Sequence, residues 1–167
     1  TFGDKSEKSR RENFFGFFKK WPIPDEEFFL NLGLFLTPQT LSRILFMDFL
    51  YRQILEVQGV VMEFGCRWGQ NLSLFMALRG IYEPFNRLRK IVGFETFEGF
   101  PSTSPRDGEK LNPGMYSVTP NYDEYLDQIL HFQEQESPLA HLQKYELVKG
   151  DASSRIHEYL EKHPETI

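Results

Sequence analysis

The sequence predicts an α/β protein with a Rossmann-like parallel sheet. Three observations carry this. Apolar, strand-like runs at residues 60–64, 91–95 and 145–151 each end at or next to an acidic residue. Segments with helical periodicity lie between them. A turn with two glycines, Glu63-Phe64-Gly65-Cys66-Arg67-Trp68-Gly69-Gln70-Asn71, joins the first strand to a helix. Backbone N–H groups and the positive end of a helix meet at such a turn, where an anionic group docks.

The elements follow in order. Residues 1–13 are polar, mixed in charge and aperiodic, which reads as disorder or a loose arm. Phe14, Phe15, Phe17, Phe18 and Trp21, beside Lys19 and Lys20, read as a segment packed on the domain or on a partner chain, with a membrane-surface anchor as the alternative. Pro22 and Pro24 break it, and Asp25-Glu26-Glu27 opens a short helix over residues 27–32 that stops at Gly33. Thr37 as N-cap and Pro38 at the first helical position start a longer helix. Its stripe of Leu41, Ile44, Leu45, Phe49 and Leu55, running to about Val57, reads as core packing. Gly59 leads into the first strand. After the turn, Leu72, Phe75, Met76 and Arg79 recur at helical spacing, and residues 86–90 form a polar, basic connector to the second strand. This β–α–β spacing of about 30 residues is that of a right-handed parallel crossover. Residues 96–114 hold three Pro and three Gly and read as a long surface loop. Residues 122–135 form a helix with Tyr125, Ile129 and Phe132 on one face, residues 139–143 add a turn, and a last helix over 155–162 is opened by Ala152-Ser153-Ser154. Ile167, after the turn containing Pro164, reads as the first residue of a further strand, so the chain is expected to be part of a longer polypeptide. The expected organisation is a Phe-rich arm at 1–36 and an α/β domain at 37–167.

The composition bounds the class. A chain of 167 residues supports one domain with a core. A net charge of −5 argues against a nucleic-acid or anionic-membrane surface. The single cysteine, Cys66, rules out an internal disulfide framework and fits a reducing, cytoplasmic setting. No apolar run approaches the roughly 18 residues of a membrane span. Cys66 reads as a small buried residue, because no base lies near it in sequence. His131, His141, His157 and His163 show no metal-ligand spacing. Glu98 and Arg106, in the long loop, are candidates to meet a substrate or simply to meet water.

In an open parallel sheet the ligand crevice lies outside the carboxyl ends of the strands, so Glu63, Glu95 and Asp151 are expected to face one cleft. Such acids suit a nucleoside: one accepts from both ribose hydroxyls, another from an adenine amino group. A dinucleotide fingerprint needs a middle glycine where the pyrophosphate approaches, and Arg67 stands there instead. The Gly-Lys-Ser/Thr of a P-loop is absent. Acid-x-Gly-x-x-x-Gly instead matches the turn of S-adenosylmethionine-binding domains.

Three blocks carry a resemblance: Glu63 to Asn71; Gly93-Phe94-Glu95-Thr96-Phe97-Glu98-Gly99-Phe100-Pro101; and Val148-Lys149-Gly150-Asp151-Ala152. Together they resemble the macrocin O-methyltransferase (TylF-like) family of class I S-adenosylmethionine-dependent methyltransferases, over about residues 37–167. The resemblance implies a seven-stranded sheet, S-adenosylmethionine as methyl donor and a small-molecule hydroxyl acceptor, often on a sugar. It implies that Gly65, Arg67, Gly69 and Asn71 surround the methionine moiety with Glu63 nearby. Glu95 would take the ribose with Thr96 beside it, and Asp151 with the Ala152 backbone would take adenine. It places a catalytic acid and a Mg2+ site at the end of a fourth strand, beyond Ile167, so no catalytic residue is named in this chain. Two rivals stand beside this reading: a non-catalytic interaction module that dimerises through the Phe-rich N-terminus, and a NAD-dependent oxidoreductase.

Overall fold

The structure, a computed structural model, describes residues 5–104 and 111–166; Arg106 and Ile167 lie outside the described residues. The chain divides into two compact units, Thr1–Arg43 and Ile44–Ile167, and the division falls inside a helix.

The smaller unit holds α1 (Lys5–Lys19), 3₁₀ segments at Asp25–Glu27 and Phe29–Phe35, and the start of α2 (Pro38–Gln53). The expected loose arm is therefore helical from Lys5 onward. Ion pairs one turn apart, Arg11 with Glu7 and Lys8 with Glu12, support a stretch rich in helix-forming Lys, Glu and Arg. Phe14 and Phe18, four residues apart, then share one face and meet Phe35, with ring centroids at 5.7 and 5.1 Å. Trp21 lies 4.8 Å from Phe28 and 5.1 Å from Phe35. The aromatic segment thus packs on the 3₁₀ segment of its own unit. That segment runs through Gly33 where the sequence suggested a stop. At the start of α2 the Thr40 N–H donates to Thr37 Oγ1 at 3.2 Å, the expected N-cap.

The larger unit is a three-stranded parallel sheet in the order β1 (Val61–Phe64), β2 (Ile91–Glu95), β3 (Tyr145–Lys149). Val61 and Phe64 pair with Ile91 and Phe94, and Ile91 and Glu95 pair with Tyr145 and Lys149. The strands therefore end level with one another. The crossover helices α3 (Gln70–Tyr82) and α4 (Tyr122–Gln135) cover one face, where Leu72, Met76, Leu126 and Leu130 pack on Ile91 and Tyr145. α5 (Ala152–Lys162) covers the other through Tyr159 and Ile156 against Val92 and Phe94. Gly93 admits the first layer: a Cβ there would stand 2.5 Å from Leu72 and 3.3 Å from Cys66 Sγ.

β1 is half-buried with Phe64 exposed, because it pairs on one side only among the described residues. Two sequence readings need correction here. On α2 the stripe is largely rotated: Tyr51 is buried and Met47 packs on the core, while Leu41, Leu45 and Phe49 are exposed; just past the helix Ile54 and the expected Leu55 pack on the core. Residues 44–51 are apolar apart from Asp48, so periodicity could not choose a face. On α4 the buried residues are Leu126, Leu130 and Glu134, and Tyr125, Ile129 and Phe132 are exposed. Glu134 disguised that face as a polar one.

Glu134 is buried between two cations, 2.8 Å from Arg79 and 2.6 Å from Lys144 Nζ. Arg79 Nη1 also donates to the Lys144 carbonyl at 2.7 Å, so α3, α4 and the entry to β3 are joined at one point. Arg89, in the connector, is buried too; it donates to the carbonyls of Ile54, Val57 and Gly59 and pairs with Glu83. No helix among the described residues is long and apolar enough to cross a membrane.

Removing one member of a buried charge cluster strands the others. Glu134→Ala is expected to cost about 3–5 kcal/mol of unfolding free energy in a urea titration. A loss under about 1 kcal/mol would mean that Arg79 and Lys144 are satisfied by the surrounding carbonyls alone.

Candidate functional site

A cleft of about 310 Å³ opens at the carboxyl ends of the strands, near the lower bound for small-molecule sites. Its walls include Gly65 and Arg67 after β1, Glu95 and Thr96 after β2, and Gly150, Asp151 and Ala152 after β3. The loop residues Gly99, Phe100, Pro101, Met115 and Tyr116 close one side. Six of the nine predicted site residues thus line one cavity: Gly65, Arg67, Glu95, Thr96, Asp151 and Ala152. Glu63, Gly69 and Asn71 are not on its wall. Asn71 Nδ2 donates to Glu63 Oε1 at 2.7 Å, so these two fasten the start of α3 to the end of β1. Gly69, at φ +72°, donates its N–H to the Cys66 carbonyl and lies so close to Leu126 that a Cβ would stand 2.4 Å from that side chain.

Glu95 ties the cleft together. One oxygen accepts the Arg67 N–H at 2.5 Å, the other accepts the Phe97 N–H at 3.1 Å, and its carbonyl accepts the Gly150 N–H at 2.9 Å. All three strand-end turns are therefore fastened to one residue. An ionised carboxylate offers about four acceptor positions; besides these two N–H groups, the Thr96 hydroxyl lies 3.3 Å from Oε1, so some capacity is left for a ligand. Asp151 caps α5, taking the Ser153 N–H at 2.8 Å and the Ser153 hydroxyl at 2.7 Å on one oxygen. The Ser153 hydroxyl, then its backbone N–H, hold the Asp151 carboxyl below the usual carboxylate range, so it is an acceptor at neutral pH.

The loop wall is fixed by its base. Phe100 N–H donates to Met115 O at 3.1 Å, Gly114 N–H to Phe100 O at 2.9 Å, and Thr96 Oγ1 to Gly99 O at 2.7 Å. Only glycine fits at 99: φ is +80°, and a Cβ would stand 2.3 Å from the Met115 carbonyl. Phe100, Met115 and Tyr116 were not among the predicted site residues. The available signal was the glycine pair Gly99 and Gly114 bracketing the loop. Glu98 is exposed and off the cleft wall, and Arg106 lies outside the described residues.

The Arg67 side chain lies between two rings, 5.2 Å from the Tyr116 centroid and 5.5 Å from that of Trp68. Cys66 is buried as expected. Desolvation first, then the charges of Glu63 and Glu95, push its thiol up to about 12. Among the described residues no group of three or more His, Cys, Asp or Glu is placed to hold a metal ion.

Fold and cleft together define a class: the Rossmann-like domain of class I methyltransferases, with acids at the second and third strand ends and a glycine turn after the first. Solved structures bear directly on this. The chain is 40% identical to the calicheamicin methyltransferase CalS11, with a TM-score of 0.93, over 100% of this chain and 66% of that one. An apo structure of CalS11, described as a TDP-rhamnose 3'-O-methyltransferase of calicheamicin biosynthesis, matches at 37% identity and TM-score 0.84, over 100% of this chain and 65% of that one. The chain belongs to the TylF-like O-methyltransferase family. No protein-family model matches it, and no curated protein matches it in sequence.

The Cys66 environment makes two expectations. Ellman's reagent at pH 8 is expected to leave the folded thiol unmodified and to titrate one thiol per chain after urea unfolding. A folded pKa raised above the ordinary 9.0 also means stability that is intact below about pH 9 and declines as pH rises toward 12. Cys66→Ala removes this component of the decline, so melting curves of the two proteins converge through that window. Rapid labelling of the native thiol would contradict its burial.

Proposed function

We propose that this chain forms the donor-binding part of an S-adenosylmethionine-dependent methyltransferase acting on a hydroxyl of a sugar or another small natural-product acceptor. The observation that supports it most is the convergence of Gly65, Glu95 and Asp151, from three separate strand ends, on one cleft. When bound, the cofactor supplies a methyl group on a sulfonium. The residues here bind and orient. Gly65, at φ +79° with no atom within 4 Å of where a Cβ would be, leaves room for the methionine end of the ligand. The turn through Arg67 and Gly69, braced by Glu63 and Asn71, shapes the wall at that end. Glu95, held open by its two N–H donors and flanked by Thr96, accepts from ribose hydroxyls. Asp151, with the Ala152 backbone, accepts from the adenine amino group. Transfer in line then depends on holding donor and acceptor aligned.

In this reading residues 37–167 carry the cofactor site and residues 1–36 form an arm suited to self-association. No part of it runs through a metal ion held by these residues. The NAD rival is disfavoured by Arg67, which stands where a pyrophosphate would need a bare backbone.

Calorimetric titration checks the reading: S-adenosylhomocysteine is expected to bind in the micromolar range and NAD not to bind. Glu95→Gln removes a charged hydrogen-bond acceptor and is expected to weaken S-adenosylhomocysteine about 10–100-fold. Binding of neither ligand would leave the interaction module ahead.

A further inference from the structure

The turn after β1 is held by the first turn of α4. The Tyr122 hydroxyl donates to the Trp68 carbonyl at 3.0 Å, and the two rings meet edge-on at 4.7 Å. Tyr122 is itself half-buried against the core, so it offers the hydroxyl from a fixed base. One helical turn further on, Leu126 fills the space beside Gly69 where a Cβ would stand. Neither Tyr122 nor Leu126 lines the cleft. They touch the turn and not the ligand space.

The point of contact decides what the hydroxyl does. The Trp68 carbonyl and the Gly69 N–H belong to one peptide plane. Its oxygen takes the Tyr122 hydroxyl, and its N–H donates to the Cys66 carbonyl at 2.8 Å. The plane is therefore fixed at both ends. It lies in a turn with two left-handed residues, Arg67 at φ +48° and Gly69 at φ +72°. A left-handed arginine persists only where its surroundings hold it. The Glu95 carboxylate holds the Arg67 N–H, and Tyr122 holds the peptide that follows Trp68. Without the second hold, Gly69 has no side chain to bias its φ. Arg67, on the cleft wall, is separated from that plane by Trp68 alone.

We infer that Tyr122 is a positioning residue for methyl-donor binding: by holding the Trp68–Gly69 peptide it keeps the turn that walls the cleft in its binding shape. This rests on the donor-binding reading above. A purely structural role for Tyr122 would be to anchor the start of α4. That anchor has a device of its own, the 2.7 Å pair between Asp123 and Lys149 at the end of β3. Two neighbouring residues thus allow the roles to be separated.

The test is calorimetric titration of the full chain, Tyr122→Phe and Asp123→Asn with S-adenosylhomocysteine. Tyr122→Phe keeps the ring and loses the hydroxyl. It is expected to weaken binding about 3–10-fold, the worth of one hydrogen bond. Asp123→Asn loosens the helix start without touching the turn, and is expected to leave affinity within about twofold. Trp68 supplies a second readout, because Trp21→Phe leaves it alone of the two tryptophans in the chain. In that background Tyr122→Phe is expected to shift the Trp68 emission of the free protein, and saturating S-adenosylhomocysteine to bring the two spectra together. The proposal is overturned if Tyr122→Phe binds as tightly as the parent or if Asp123→Asn weakens binding equally. It is overturned too if the spectra coincide in the free protein or differ as much with ligand as without. Those results leave the donor reading intact. Absence of binding by the parent itself overturns the donor reading, and the positioning role falls with it.

Discussion

A carboxylate buried between two cations is hard to displace, because moving it leaves unpaired charge in a low-dielectric interior. Glu134 holds that position between Arg79 of α3 and Lys144 at the entry to β3. Arg79 and Lys144 are further tied by side chain to carbonyl. Two crossover helices and a strand are thus fixed at the end of the sheet away from the cleft. Hydrophobic contacts between Leu72, Leu126 and Ile91 are non-directional and would tolerate sliding. The charge cluster does not, and with it in place the strands keep a register in which their carboxyl ends come level.

Level strand ends are what make the site. Each strand delivers a turn, and Glu95 accepts or receives a hydrogen bond from every one of them: Arg67 N–H from the first, Phe97 N–H from its own, Gly150 N–H from the third. The same residue therefore assembles the cleft, through its carboxylate at two turns and its backbone carbonyl at the third. Asp151 shows the same economy, since its carboxyl starts α5 and remains ionised at the cavity wall.

Much of this was legible in the sequence where local chemistry is unambiguous. The boundaries of β2 and α4 follow from β-branched and helical patterns, and the Thr37 cap from its place before Pro38. The cleft residues after β2 and β3 followed from acids at strand ends. What was illegible was orientation. The middle of α2, residues 44–51, is apolar apart from Asp48, so no period marked the face that buries Tyr51. α4 hid its core face behind Glu134, a charge whose partners lie 55 and 10 residues away in sequence. Tyr116 escaped for a related reason. It reaches the cavity only because a distant pair of backbone hydrogen bonds folds the loop back, and no single stretch of sequence records that.

The closed base of that loop has a consequence for how such proteins diversify. The chain leaves the cleft wall at Gly99–Phe100 and returns at Gly114–Met115, with the two points hydrogen-bonded to each other. Material inserted or deleted between them does not move either anchor, and doubling such a stretch adds only about 0.6 kcal/mol of closure entropy. The cleft wall and the stretch between its two anchors are thereby uncoupled, and that stretch can change in length while the wall stays fixed.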